Sequence, residues 1–171
     1  DVLAQLEYQA GQAEVWRDAV VNWFLKTSGI PDEKGRAGKH PGRVEVESMQ
    51  LEGYAPVPVT PWEAASGGMA VSCAIARCTA RSIFKGAAGR HDIRVRYFDQ
   101  NNGMARFRLL VNGELLDHWI ASDRLPTQKI DGTSSSLRIA PAVALKPGDE
   151  IRIEGSPDGG ESAALDYIEI Q

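Results

Sequence analysis

Several things are scarce in this 171-residue sequence, and each scarcity removes a class of function. There are only two cysteines and three histidines. Two cysteines without matching His or Cys neighbours make no zinc site. Scattered His40, His91 and His118 offer no Ser–His–Asp order. No apolar run approaches the roughly 18 residues that a membrane-spanning helix needs. Basic residues do not cluster, and 19 Lys and Arg stand against 23 Asp and Glu. A chain of net charge −4 without a basic stripe has no footprint for nucleic-acid phosphates. Ser66-Gly67-Gly68 lacks the Lys-Ser or Lys-Thr that would make a phosphate loop. Aromatics make up 7%, with four Trp in all. The chain starts Asp1-Val2, without an initiator Met, and reads as a piece of something larger.

What remains is globular composition with many turn formers, 17 Gly and 9 Pro. The chain divides into unlike parts. Leu3, Leu6, Ala10, Ala13, Trp16, Val20 and Phe24 recur every three or four residues. That period predicts an amphipathic helix within residues 1–27, whose apolar face must dock on a neighbour. Residues 28–42 hold most of a Gly- and Pro-rich stretch without periodicity, and read as a linker. From residue 43 to 171 the period becomes two. Ile93, Val95 and Tyr97 alternate with Arg94, Arg96 and Phe98, and Phe107, Leu109 and Val111 follow the same rule. Turn signals such as Asn101-Asn102-Gly103, Asn112-Gly113 and Pro147-Gly148 separate the runs. About nine to eleven short strands with no intervening helix predict an antiparallel β-sandwich.

Cys73 and Cys78 enclose four residues, which reads as a hairpin loop with a disulfide across its base. That pairing implies an oxidising compartment; the alternative is two buried thiols in a cytosolic protein. Glu45 and Glu47 stand two apart on one predicted strand, so their side chains share a face. Asp166 would join them if the first and last strands are neighbours. Three converging carboxylates ask for a hard cation, and Ca²⁺ takes six to eight oxygens. A solvated acidic face is the other reading of the same residues. For sugar recognition the chain outside the helix offers Trp62, after a Pro-rich loop, and Trp119. Either can stack on a pyranose ring or pack in the interior. With 23 acids in the chain, an isolated pair of carboxylates says nothing about glycosidase chemistry.

The β part resembles carbohydrate-binding modules of the related families 6, 35 and 36. The residues that carry this are Val44-Glu45-Val46-Glu47, Ala65-Ser66-Gly67-Gly68, Tyr97-Phe98, Val111-Asn112-Gly113, Leu145 through Gly148 and Leu165-Asp166-Tyr167-Ile168. The resemblance implies a jelly-roll sandwich from a secreted protein, extracellular or periplasmic. It implies a structural calcium on Glu45, Glu47 and Asp166, with main-chain help around Gly68. It implies noncatalytic binding of plant or microbial polysaccharide, uronic-acid-containing polymers included, at loops along one edge. Tyr54, Asp99, Asn101, Asn102, Trp119 and Asp158 are the candidate sugar contacts. Where these families commonly have Asn before the last strand, this chain reads Ser162-Ala163-Ala164. Uronate recognition would need a cation, from Arg124 or calcium. The helical part, through Glu14-Val15-Trp16-Arg17-Asp18-Ala19 and Asn22-Trp23-Phe24, resembles the C-terminal helical region of family 67 α-glucuronidases. The implied whole is the C-terminal module of a polysaccharide-degrading hydrolase, docked on the parent catalytic domain through the helix. The alternative is a structural sandwich that docks or dimerises without binding sugar. Neither reading makes the chain an enzyme by itself.

Overall fold

A computed structural model describes residues 40–59 and 65–171, and before them only Gln9, Ala10, Ala13, Arg17 and Val21, all helical. The expected N-terminal helix otherwise lies outside the described residues, as do most of the linker and Trp62. Among the described residues no helix is long and apolar enough to cross a membrane.

Eleven strands follow one another: β1 (Arg43–Glu45), β2 (Gln50–Glu52), β3 (Tyr54–Pro58), β4 (Met69–Cys73), β5 (Cys78–Ile83), β6 (Gly89–Phe98), β7 (Arg106–Val111), β8 (Glu114–Ile120), β9 (Ser135–Leu145), β10 (Glu150–Ser156) and β11 (Leu165–Ile170). Every described pairing is antiparallel. One sheet runs β3-β4-β11-β6-β9, with β1 also on β11; the other runs β2-β5-β10-β7-β8. Two sheets packed face to face bury one side of each strand, which is why the sequence alternates. Val71, Ile93, Val95, Leu165 and Ile168 of the first sheet meet Ala80, Phe107, Leu109, Ile151 and Ile153 of the second. The mostly-β antiparallel sandwich read from the sequence is therefore the observed fold. Asn112 and Gly113 close the β7–β8 hairpin as a two-residue turn, as their pairing predicts.

Cys73 and Cys78 form the disulfide, with Cα atoms 5.8 Å apart. The segment they enclose is not a hairpin. Cys73 ends β4 in the first sheet, and Cys78 begins β5 in the second. The bond thus ties the two layers at a corner. Four residues suffice equally for a hairpin or an arch, so spacing alone does not separate them.

Candidate functional site

Acidic side chains gather at two places. The first is the corner where the first and last strands meet. Arg43, Val44 and Glu45 pair with Glu169, Ile168 and Tyr167, so the first and last strands are neighbours. Glu45 closes β1, but Glu47 is not on that strand. It lies in a 3-10 turn, Val46–Ser48, closed by the Met49 N–H donating to the Val46 carbonyl at 3.0 Å. The Ser48 hydroxyl fastens the same turn to the Glu45 carbonyl at 2.7 Å. Ser66 links the corner. Its hydroxyl donates to Glu45 Oε1 at 2.6 Å, and its backbone N–H donates to Asp166 Oδ1 at 2.8 Å. Gly67 and Gly68 take φ of 63° and 78°, which lets the backbone turn beside Glu47.

The second oxygens are different. Glu45 Oε2, Glu47 Oε2 and Asp166 Oδ2 are all buried and accept no hydrogen bond. Asp166 is fully buried. Burial raises its pKa well above the ordinary carboxylate value and Glu45 pushes it further; Ser66, Arg96 and Arg43 pull the other way. Burial also raises Glu45, against Ser66, Arg43 and His40, and raises Glu47, with Glu45 adding to it. Arg43 braces the corner: it donates to Glu169 at 2.9 Å and lies 3.9 Å over the Tyr167 ring. Arg96 is fully buried with Nε and Nη1 unpartnered. A metal centre was expected here on side chains and main chain. The Gly68 carbonyl already accepts from the Val59 N–H at 3.0 Å. Among the described residues, no three His, Cys, Asp or Glu side chains stand together as a ready-made metal cage. The donors nonetheless fit a hard cation in kind, since three buried carboxylate oxygens are bare and Glu45 repels both Glu47 and Asp166.

The second place is the loop end of the sandwich. Loops 99–105 and 157–164 meet there. The Gly160 N–H donates to the Asn102 carbonyl at 2.9 Å, and the Met104 N–H donates to Asp158 Oδ2 at 3.2 Å. Gly103 sits where a Cβ would run into the Asp158 carbonyl, so only glycine allows this approach. Glu161 accepts from the Gln100 N–H at 2.7 Å and the Ala105 N–H at 2.9 Å. Asp99 accepts from the Asp123 N–H at 3.0 Å and the Arg124 N–H at 3.1 Å. Both carboxylates are buried. Burial raises both pKa values, and the hydrogen bonds partly offset it. These two acids staple loops together and have no oxygen to spare.

The six candidate sugar contacts therefore part company. Asn101, Asn102 and Asp158 come together at this accessible end. Asp99 is buried beneath it as a loop staple. Tyr54 is interior, and its hydroxyl donates to the Ala163 carbonyl at 3.0 Å. Trp119 is interior too, stacked on Phe107 at 5.3 Å and tilted against Tyr97 at 5.7 Å. Indeed Tyr54, Phe84, Tyr97, Phe98, Phe107, Trp119 and Tyr167, all the aromatics described, are buried. Arg124, considered as a uronate partner, holds a positive φ of 49° and lends its backbone N–H to Asp99. Ser66 and Glu161 organise these sites without having been assigned a role; Ser66 was visible only as part of the Ser-Gly-Gly turn.

Comparison with known proteins follows the same division. Residues 1–37 match the family described as Glycosyl hydrolase family 67 C-terminus. The chain is 40% identical over 176 residues to α-glucuronidase A of Emericella nidulans, covering 99% of this chain and 21% of that protein. It is 40% identical over 171 residues to a probable α-glucuronidase A of Aspergillus terreus, covering 96% and 20%. The chain thus spans about a fifth of the length of the curated relatives it matches. Among solved structures, a family 35 carbohydrate-binding module from Clostridium thermocellum superposes with a TM-score of 0.57 at 12% identity, over 75% of this chain and 96% of that one. A CBM36-1 domain of a xylanase from the hindgut metagenome of Trinervitermes trinervoides gives 0.51 at 23%, over 75% and 94%. At such identities the likeness is one of fold. The sandwich fold is shared with these modules, and the likeness does not separate one family of them from another.

Proposed function

We propose that this chain is a noncatalytic accessory module at the C-terminal end of an α-glucuronidase-type glycoside hydrolase, working outside the cytoplasm on uronic-acid-bearing polysaccharide. The observation that carries this is the similarity to α-glucuronidases along nearly the whole chain, joined to a sandwich of carbohydrate-binding type. The disulfide suits an oxidising compartment. The resemblance in the Glu45, Glu47 and Asp166 segments and their three bare oxygens support a calcium ion at the corner. Calcium there would neutralise the carboxylates and pin the last strand to the first; it supplies no chemistry. Asn101, Asn102 and Asp158 are the accessible polar groups for sugar hydroxyls.

The buried aromatics favour a second role beside this one. A sandwich without a described exposed ring can serve as a docking element for its parent catalytic domain. Affinity electrophoresis of the 171-residue chain in glucuronoxylan gels separates the two. Retardation without release of glucuronic acid is expected of a binding module. No retardation, with capture of the parent's catalytic part instead, would leave docking alone.

A further inference from the structure

The outer face of the second sheet carries more positive charge than it neutralises. On β5, β10 and β7 the buried Ala80, Ile151, Ile153, Phe107 and Leu109 point inward. Alternation therefore turns Arg81, Arg152, Glu154, Arg106 and Arg108 outward. The register sets them in rows across the strands. Arg152 stands directly opposite Arg81, and Glu154 opposite Arg108. Like charges directly opposite each other destabilise a sheet.

The compensation is partial. Glu154, with a side chain only 10% exposed, faces three guanidinium groups: Arg108 at 2.8 Å, Arg152 at 3.7 Å and Arg77 at 4.0 Å. Arg152 also reaches Glu150 at 3.1 Å, and Arg81 reaches Glu52 at 2.8 Å. Arg106 is paired across the sheet with Ser156 and Ile120, and makes no ion pair with a described residue. Four guanidiniums thus share three carboxylates and Arg106 has none among the described residues, on a chain whose net charge is −4. Arg77 and Arg108 have side chains 60% and 40% exposed, and Arg108 gives Glu154 a single N–H. Their free N–H groups form planar forks of the kind that take carboxylates two bonds at a time. Ile120, half exposed beside Arg106, adds apolar surface where a sugar ring could lie.

We infer that this five-stranded face is a second binding surface, for a polymer carrying uronate carboxylates, with Arg77, Arg106 and Arg108 as its contacts. The choice of a uronate polymer rests on the accessory-module reading above. The face adjoins the loop end with Asn101, Asn102 and Asp158 at Arg106, which stands opposite Ser156, and its guanidiniums lie on the sheet rather than in the loops. Strand spacing sets its charges a few ångströms apart on an open surface, suited to an extended polyanion. Binding there is electrostatic and weakens with salt.

The test is affinity electrophoresis of the 171-residue chain against glucuronoxylan, xylan stripped of uronate, and duplex DNA, at low and physiological salt. Wild type should bind glucuronoxylan more tightly than stripped xylan, and lose that preference as salt rises. The double variant R77Q/R108Q should lose about tenfold in affinity for glucuronoxylan, the scale of charge-assisted hydrogen bonds. R77Q/R106Q leaves the Arg108–Glu154 pair intact, guards against misfolding, and should lose a similar factor. Unchanged affinity in both arginine variants, with loss in an N101A/N102A variant, would overturn the face and leave the accessory reading standing. Equal affinity for DNA would overturn a uronate surface. No binding to either polysaccharide would sink both.

Discussion

The corner and the loop end bury the same kind of residue and treat it oppositely. At the loop end, all four oxygens of Asp99 and Glu161 accept backbone N–H groups. At the corner, Glu45, Glu47 and Asp166 each keep one buried oxygen bare. All five carboxyl groups have raised pKa values, with burial the leading cause. A raised pKa therefore does not mark a binding site. The unpartnered oxygens set the corner apart, because burying a carboxylate oxygen without a donor is costly unless a cation or a proton arrives. The loop-end acids are structural staples. The corner acids each keep one buried oxygen without a donor.

The largest effect should come from breaking a staple. Glu161→Ala leaves the Gln100 and Ala105 N–H groups buried without acceptors, at about 1–3 kcal/mol for each. A loss of about 2–6 kcal/mol is expected in chemical denaturation, and Glu47→Ala in chelator should cost under about 1 kcal/mol. Equal losses at the two positions would erase the distinction. A smaller effect concerns pH. Because folding raises the pKa of Asp99 and Glu161, their contribution is fully present below the ordinary carboxylate range and is lost as pH rises through the raised values. Asp99→Asn removes one of these titrations. In chelator its stability should fall less steeply than wild type's from about pH 4 upward; parallel curves would count against the assignment.

The strands were legible because alternation and turn residues are local. Ile93-Arg94-Val95-Arg96-Tyr97 and the Asn112-Gly113 turn needed no tertiary information. Most of what the sequence left open was decided between distant segments. The Cys73–Cys78 stretch reads as a hairpin until β5 is seen beside β10 in the other sheet. Glu-x-Glu reads as strand, yet a hydrogen bond from Met49 to Val46 curls Glu47 into a turn. Trp119 and Tyr54 looked suited to sugar because aromatic residues serve cores and binding platforms alike. Only the packing of Trp119 on Phe107 and of Tyr54 under Ala163 chose between them. The corner was half legible: Glu45, Glu47 and Asp166 could be named, while the bridging role of Ser66 depended on a contact spanning 100 residues. The arginine face was not foreseen, since Arg77, Arg81, Arg108 and Arg152 are spread over three segments that meet only in the sheet.

One thermal melt tests the proposal that the corner acids hold calcium. Wild type and Asp166→Asn are melted at neutral pH with excess Ca²⁺ and with chelator. A ligand that binds only the folded chain, at about a hundred times its Kd, should raise the wild-type Tm by about 5–10 °C. Asp166→Asn should show no calcium shift, and should melt in chelator no lower than wild type, because it removes a buried charge. Identical wild-type melting with and without calcium, or an undiminished shift in Asp166→Asn, would contradict the account.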